Sequence, residues 1–191
     1  MKILDNINHT VREDLQDTMQ KGSRVSIAAA CFSIYAYQEL KKQLEEIAEL
    51  RFIFTSPTFV QENTPKERRE FYIPKLTREK SLYGTEFEVR LRNELTQKAL
   101  AKECADWVRR KVKFRSNVSG EQMPGFMTVG ESSYMPISGF TTVDLGCERG
   151  NNAYYPVQRT EAFENGRYFL SLFDEIWNDS SRLQDVTDIV L

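Results

Sequence analysis

Residues that could do chemistry are scarce in the most suggestive stretch of this chain. Residues 120 to 146 read GEQMPGFMTVGESSYMPISGFTTVDLG, a strand, a turn and a second strand without a histidine or a lysine. The single histidine of the chain is His9, whose polar context NHTVRED indicates a solvent-facing helical residue. Nucleophilic triads need a base beside the nucleophile, so the sequence offers no evident triad. One histidine also excludes a metal site built from several histidines.

Carboxylates remain as possible metal ligands near this stretch. A magnesium site needs only one or two carboxylates plus substrate phosphates. Glu131, Asp144 and Glu148 are therefore the candidates for a metal-dependent nuclease or phosphodiesterase. The chain has neither GxxxxGK[ST] nor GxGxxG, and its three cysteines show no CxxC spacing, so we expect no bound cofactor and no structural zinc.

Two basic clusters are the other candidates for function, because Lys and Arg contact nucleic-acid phosphates without reading sequence. The first cluster lies in a surface excursion over residues 60 to 80 and includes Arg68, Arg69 and Lys75. The second ends a long helix and enters the next strand, with Arg109, Arg110, Lys111, Lys113 and Arg115. A solvated helix end and a strand with one wet face are the alternative interpretation, since the helix dipole alone favours cations in a last turn.

Composition places the chain among globular domains. It has 191 residues, 40% of them hydrophobic, and a net charge of −2, which suits one domain and gives no overall basic signature. No signal peptide is visible, and no apolar run approaches the ~20 residues of a membrane span. We expect a cytoplasmic protein.

The elements that must position these residues follow from hydrophobic periodicity. The pattern predicts a parallel strand–helix–strand unit, then a long helix, a strand, a hairpin and an aromatic-rich helix capped by Thr160. The predicted helices cover residues 5 to 21, 34 to 50, 87 to 111 and 160 to 177; the strands of the first unit cover 24 to 32 and 51 to 57. The predicted fold class is α/β, a mixed β-sheet flanked by helices on both faces.

This order of elements resembles one half of the phospholipase D-like fold. Active members of that family carry H-x-K-x4-D on the hairpin, with a histidine nucleophile and a lysine that neutralises phosphate. On this chain Met123 stands at the histidine position, Gly125 at the lysine position and Gly130 at the aspartate position. A later family segment matches PISGFTT, where Ser138 keeps a serine and Gly139 replaces an asparagine. The resemblance implies a retained shape without the chemistry.

Longer strings sharpen the resemblance. FIFTSPTFV, ERREFYIPKL, GFTTVDLG and SLFDEIWND resemble the N-terminal region of large bacterial helicase-like ATPases of the Swi/Snf type, over roughly residues 20 to 190. In those proteins a phospholipase D-like region precedes two motor lobes. The resemblance implies a domain over residues 1–180, with residues 181–191 opening a helix or linker towards an absent motor.

We therefore predict a non-catalytic accessory domain of a DNA helicase or translocase, and not an enzyme in itself. The partners implied are the motor lobes, DNA and a second copy of the chain, because phospholipase D-like halves commonly pair. The metal-dependent nuclease is the alternative, and a spacer without a ligand is a third hypothesis.

Overall fold

A computed structural model describes residues 1–56, 94–150 and 152–191 of the chain. These residues form one mixed sheet of eight strands with the order β1-β7-β6-β5-β2-β3-β4-β8. The strands are β1 Lys2–Leu4, β2 Arg24–Ala29, β3 Glu49–Phe54, β4 Val112–Asn117, β5 Phe126–Val129, β6 Ser132–Met135, β7 Val157–Thr160 and β8 Leu183–Asp185. The α-helices are α1 Val11–Thr18, α2 Ile34–Glu39, α3 Lys41–Glu46, α4 Glu94–Lys111, α5 Gly166–Trp177 and α6 Thr187–Val190.

The centre of the sheet is parallel and its wings are antiparallel. β2 pairs with β3, and β3 with β4, in parallel register, while β5 runs antiparallel to β2. The parallel strands are buried on both faces, so their sequences are nearly continuous apolar runs such as RVSIAA and ELRFIF. The predicted strand–helix–strand unit is confirmed.

One face of the sheet packs against helices α1 to α4 over an aromatic core. The Phe32 ring lies 5.4–5.6 Å from the rings of Phe52, Phe114 and Phe140, and 6.5 Å from Trp107. The Trp107 indole also donates a hydrogen bond of 2.9 Å to the carbonyl of Leu44, which fixes α4 against α3. Such ring pairs add to the energy of apolar burial.

Helix α5 covers the opposite face. Phe173 and Trp177 pack with Ala28, Ile53 and Phe126 in a second apolar cluster. Alternate side chains of β2 and β3 therefore pack into different apolar clusters, as the two-residue period of a strand requires. The predicted class, an α/β fold whose mixed sheet is flanked by helices on both faces, is confirmed.

Three predicted helices differ from the structure. The first begins only at Val11, where Thr10 and Glu13 form a capping box, so exposed His9 precedes the helix. Residues 34 to 50 divide into α2, α3 and the start of β3, with the break at Leu40. Thr160 does not cap a helix, because its backbone pairs in β7 with Ser133 of β6.

The last residues also differ from the prediction. We expected residues 181 to 191 to open a helix or linker, but Leu183–Asp185 form β8 and pair antiparallel with β4. Val186 is buried in the first core, and only Thr187–Val190 is helical. The apolar residues of this segment therefore complete the sheet and its core.

Candidate functional site

Four of the five motif positions lie at the edge where the parallel strands end. The pairing of Ala28 with Phe126 brings residues 123 to 125 beside the end of β2. The loop of residues 136 to 146 returns to the same end, where Ala30 N–H donates to the Ser138 carbonyl (2.9 Å) and Phe140 N–H donates to the Cys31 carbonyl (2.8 Å). We call this region the motif edge; it contains Met123, Gly125, Ser138 and Gly139.

Gly130 lies away from the motif edge. It sits at the β5–β6 turn with a φ of 56°, a conformation that favours glycine. Its N–H donates to the carbonyl of Arg24, at the start of β2. The position that the family gives to an aspartate is here a turn residue.

The two glycines at the motif edge are closed to side chains. A Cβ added to Gly125 would lie 1.9 Å from the Ile137 carbonyl oxygen, which belongs to the backbone. A Cβ added to Gly139 would lie 2.7 Å from the Cys31 Sγ and 2.8 Å from Asp144 Oδ2. Real Cβ atoms do not approach this closely. A lysine at position 125 would therefore require the Ile137 backbone to move, and an asparagine at position 139 would require the Cys31 and Asp144 side chains to move.

Met123, which the resemblance aligns with a histidine, has a packing role in the structure. It is half-buried and lies against the second apolar cluster. A thioether in this position contributes apolar contact and has no acid–base chemistry. The Ser138 side chain, at the position of the family serine, is exposed, and its backbone N–H donates to the Tyr155 hydroxyl at 3.1 Å.

Asp144 is the buried acid of the motif edge, and both of its oxygens accept hydrogen bonds. The Thr141 hydroxyl donates to Oδ2 at 2.6 Å, and the Tyr155 hydroxyl donates to Oδ1 at 2.5 Å. Burial raises the pKa of Asp144 above its ordinary value, and burial beside Asp144 raises the pKa of Tyr155 to about 12. This arrangement ties residues 138, 141 and 155 together and leaves the carboxylate little capacity to bind a metal.

The three acids that the alternative nuclease hypothesis named as candidate metal ligands are not brought together. Glu131 is exposed in the β5–β6 turn, at the opposite end of β2 from Asp144. Glu148 accepts a hydrogen bond of 3.0 Å from Thr142. Over residues 1–56, 94–150 and 152–191, no three His, Cys, Asp or Glu side chains form a metal-binding group.

The remaining nucleophile and base candidates do not supply a catalytic pair. Burial raises the pKa of Cys104 to about 12, so its thiol stays protonated at neutral pH. The His9 side chain is exposed, and its ring makes no hydrogen bond within the described part of the chain. Cys31 is half-buried and Cys147 is exposed.

The second basic cluster is divided between two faces of the sheet. Arg109 pairs with Asp106 (2.8 Å), Arg110 pairs with Glu45 (2.9 Å), and the Lys111 ammonium donates to the Ile47 carbonyl (2.7 Å). Lys113 is exposed, and the Arg115 guanidinium lies 4.2 Å from the ring centre of Trp177 on the α5 face. Arg68, Arg69 and Lys75 lie outside the described residues.

Sequence reasoning missed a groove at the motif edge. It has a cavity volume of about 180 Å³ and lies between residues 121–124 and the second half of α5. Its sides carry Met123, Pro124, Leu172 and Ile176, and its rim carries Glu121, Glu175, Asp179 and Arg182. The halves are separated by about fifty residues in the chain, so no local pattern could have revealed the groove.

Comparisons with family models and with curated proteins identify no relative of this chain. No family model matches the chain, and no significant match exists among the curated proteins. No helix of the described residues is long and apolar enough to cross a membrane.

Proposed function

We propose that this chain is a non-catalytic interaction domain that serves a helicase-like ATPase of the Swi/Snf type. The observation that carries the proposal is that neither Gly125 nor Gly139 has room for a side chain. At the sheet edge that the resemblance assigns to phosphodiester cleavage, a backbone carbonyl fills the space beside Gly125, and the Cys31 and Asp144 side chains fill the space beside Gly139. In this proposal the sheet edge serves as a surface for interaction with a partner.

The electrostatics of the motif edge support the same conclusion. Phosphodiester cleavage needs a nucleophile and cations that neutralise the developing charge on phosphate. Among the described residues at this edge, Glu121, Glu175 and Asp179 face one cation, Arg182, which is already paired with Glu121 (2.8 Å) and Asp179 (2.5 Å). A phosphate would meet more negative than positive charge from these four residues.

The exposed cations that could contact DNA lie away from the motif edge and on different faces of the sheet. Lys113 is exposed on β4, and Arg109 is half-exposed in a pair with Asp106. Exposed ion pairs of this kind are worth about 0–1 kcal/mol, so a phosphate can replace the aspartate at little cost. Contact through these residues would be sequence-independent and salt-dependent.

The assignment to a helicase-like ATPase has a direct test. We expect the reading frame that encodes the chain to encode a Walker A motif, G-x-x-x-x-G-K-[ST], downstream. We then expect the separately prepared motor lobes to form a complex with the chain in sedimentation velocity experiments. A frame without such a motor, or motor lobes that sediment independently of the chain, would contradict the proposal. The same experiment on the chain alone tests its predicted self-association.

A further inference from the structure

The groove at the motif edge has an apolar floor. Met123, Leu172 and Ile176 are half-buried and pack against the second apolar cluster beneath them. Pro124 is exposed beside them. A volume of about 180 Å³ is several times the roughly 30 Å³ that a water molecule occupies in the liquid, so the groove has room for a side chain. Covering this floor would stabilise a complex in proportion to the apolar area buried.

The rim of the groove is acidic. Glu121 and Glu175 are exposed, and Asp179 lies at the end of α5. Hydrogen bonds from Ser181 and Arg182 lower the pKa of Asp179, which keeps this carboxylate ionised. Because Arg182 is shared between Glu121 and Asp179, the rim keeps a net negative charge.

Floor and rim together define the chemistry of the occupant. A ligand must present apolar groups to Met123, Leu172 and Ile176, and positive charge to Glu175 and its acidic neighbours. Nucleic acid does not meet this requirement, since its phosphates would be repelled. An amphipathic protein segment does, because helices commonly lay an apolar face into a groove while flanking charges set the orientation.

We propose that the groove docks a protein segment in which apolar side chains are flanked by Lys or Arg. This inference rests on the proposed interaction role and adds the surface and the chemistry of the partner. In this proposal Met123, which the resemblance aligns with a histidine, serves as an apolar contact in the floor of the groove.

A selection experiment tests the proposal without knowledge of the partner. A phage-displayed library of random twelve-residue peptides is selected on the whole chain, and the enriched peptides are synthesised and measured by fluorescence anisotropy. We expect enriched sequences to combine apolar residues with Lys or Arg. We expect Glu175→Lys to weaken their binding about tenfold, since like charges then oppose each other across the rim.

Two further variants separate groove binding from general charge attraction. Glu46→Lys makes the same charge change at an exposed residue of α3, on the other side of the sheet, and should leave the affinity unchanged. Met123→Gln tests the floor with a side chain of similar length and should also weaken binding. Circular dichroism confirms that each variant is folded.

The outcomes distinguish this inference from the proposed function. Acidic peptides, peptides that bind Glu175→Lys as well as the wild type, or no enrichment would overturn the docking groove. Motor lobes that bind the chain regardless of Glu175→Lys and Met123→Gln would likewise overturn the groove while supporting the interaction role. DNA cleavage by the chain would overturn the proposed function itself.

Discussion

Gly125 and Gly139 show how single residues decide whether a sheet edge can carry catalysis. At each of them, the space that a Cβ needs is held by another atom: the Ile137 carbonyl oxygen for Gly125, and Asp144 Oδ2 and Cys31 Sγ for Gly139. Ile137 N–H also donates to the Gly125 carbonyl at 2.9 Å, so the two backbones are joined at this point. The glycines permit this close packing, which leaves no room for a side chain at either position.

The substitution Gly125→Ala tests whether the backbones of Gly125 and Ile137 lie this close together. We expect the variant to lose about 1–3 kcal/mol of unfolding free energy, because the added methyl must displace a backbone carbonyl. Urea unfolding followed by circular dichroism measures the change. Gln122→Ala, at an exposed neighbour, should stay within about 0.5 kcal/mol of the wild type. If both variants match the wild type, the edge has room for a side chain and the account of Gly125 is wrong.

Asp144 should make stability fall as pH rises. Burial raises the pKa of Asp144, so the native state holds this proton more tightly than the unfolded chain does. Above the ordinary aspartate value of about 3.9, stability is then lost as pH rises through the raised native pKa. Asp144→Asn keeps an acceptor for the Tyr155 hydroxyl, and it should remove this loss. Urea midpoints across the acid range measure the effect; an unchanged slope in the variant would contradict it.

Asp14 should change stability with pH in the opposite direction to Asp144. Burial acts to raise its pKa, but hydrogen bonds from Lys2 and Tyr134 and the charge of Arg159 outweigh burial and lower the pKa. Its contribution is therefore present above the ordinary aspartate pKa and is lost as pH falls below it. Asp14→Asn should flatten the acid side of the stability curve, which Asp144→Asn should leave steep.

At the scale of elements, α5 is held on the sheet by stacked cations and rings. Arg115 lies 4.2 Å from the ring centre of Trp177 and donates to the Trp177 carbonyl. Arg51 lies 5.0 Å from the ring centre of Phe173 and forms a 2.8 Å ion pair with Asp174. These interactions position the helix that forms one side of the docking groove.

Arg115→Ala should loosen α5. The substitution removes a cation–π interaction and a charged hydrogen bond, and we expect it to cost about 1.5–3 kcal/mol in urea unfolding. Lys113→Ala is the matched control, because Lys113 is exposed on the same face of the same strand. Equal effects of the two substitutions would show that Arg115 is a solvated charge and does not fasten α5.

The sequence predicted the elements whose patterns are local. The apolar runs of β2 and β3, the part of the long helix that is described as α4, and two strands at β5 and β6 were correctly predicted. Residues 87 to 93 of the predicted helix lie outside the described residues. The strands β1, β7 and β8 were missed, since each has three or four residues and is defined by pairing with a distant strand. Thr160 is an example. Its neighbours in sequence suggest a helix cap, whereas its true position in β7 depends on pairing with a strand elsewhere in the chain.

The features of the candidate site also differ in whether the sequence could predict them. The absence of a nucleophile from Met123, Gly125 and Gly139 could be predicted from residue types alone. The hydrogen bond between Asp144 and Tyr155, and the groove between Met123 and Leu172, could not, because each depends on how a loop or helix folds back. The three candidate acids do not form a cluster for the same reason. They are near one another in sequence, but the β5–β6 hairpin places Glu131 at its turn, away from Asp144.

At the scale of the whole molecule, and among the described residues, the acidic rim and the exposed Lys113 lie at opposite ends of the central strands. The motif edge presents Glu121, Glu175 and Asp179, whereas Arg109 and Lys113 lie on α4 and β4. This separation predicts that the chain can hold a basic protein segment and a nucleic acid at different places.

DNA contact by Arg109 and Lys113 can be tested by reversing both charges. Arg109→Glu with Lys113→Glu should weaken binding to duplex DNA at low salt and reduce the slope of log affinity against log salt by about two, because two cations no longer neutralise phosphates. Fluorescence anisotropy across a salt series measures both quantities. Lys21→Glu with Lys42→Glu makes the same charge change at exposed residues elsewhere. If both double variants weaken binding equally, the attraction reflects net charge and no defined surface.

The most direct test of the central claim is a DNA cleavage assay at high protein concentration with Mg²⁺ or Mn²⁺. The closed glycines, the buried and hydrogen-bonded Asp144 and the acidic rim predict that the chain leaves single-stranded and duplex DNA intact under all these conditions. Metal-dependent cleavage would contradict the account, and its loss in Asp144→Ala would show that the motif edge has kept a chemistry of its own.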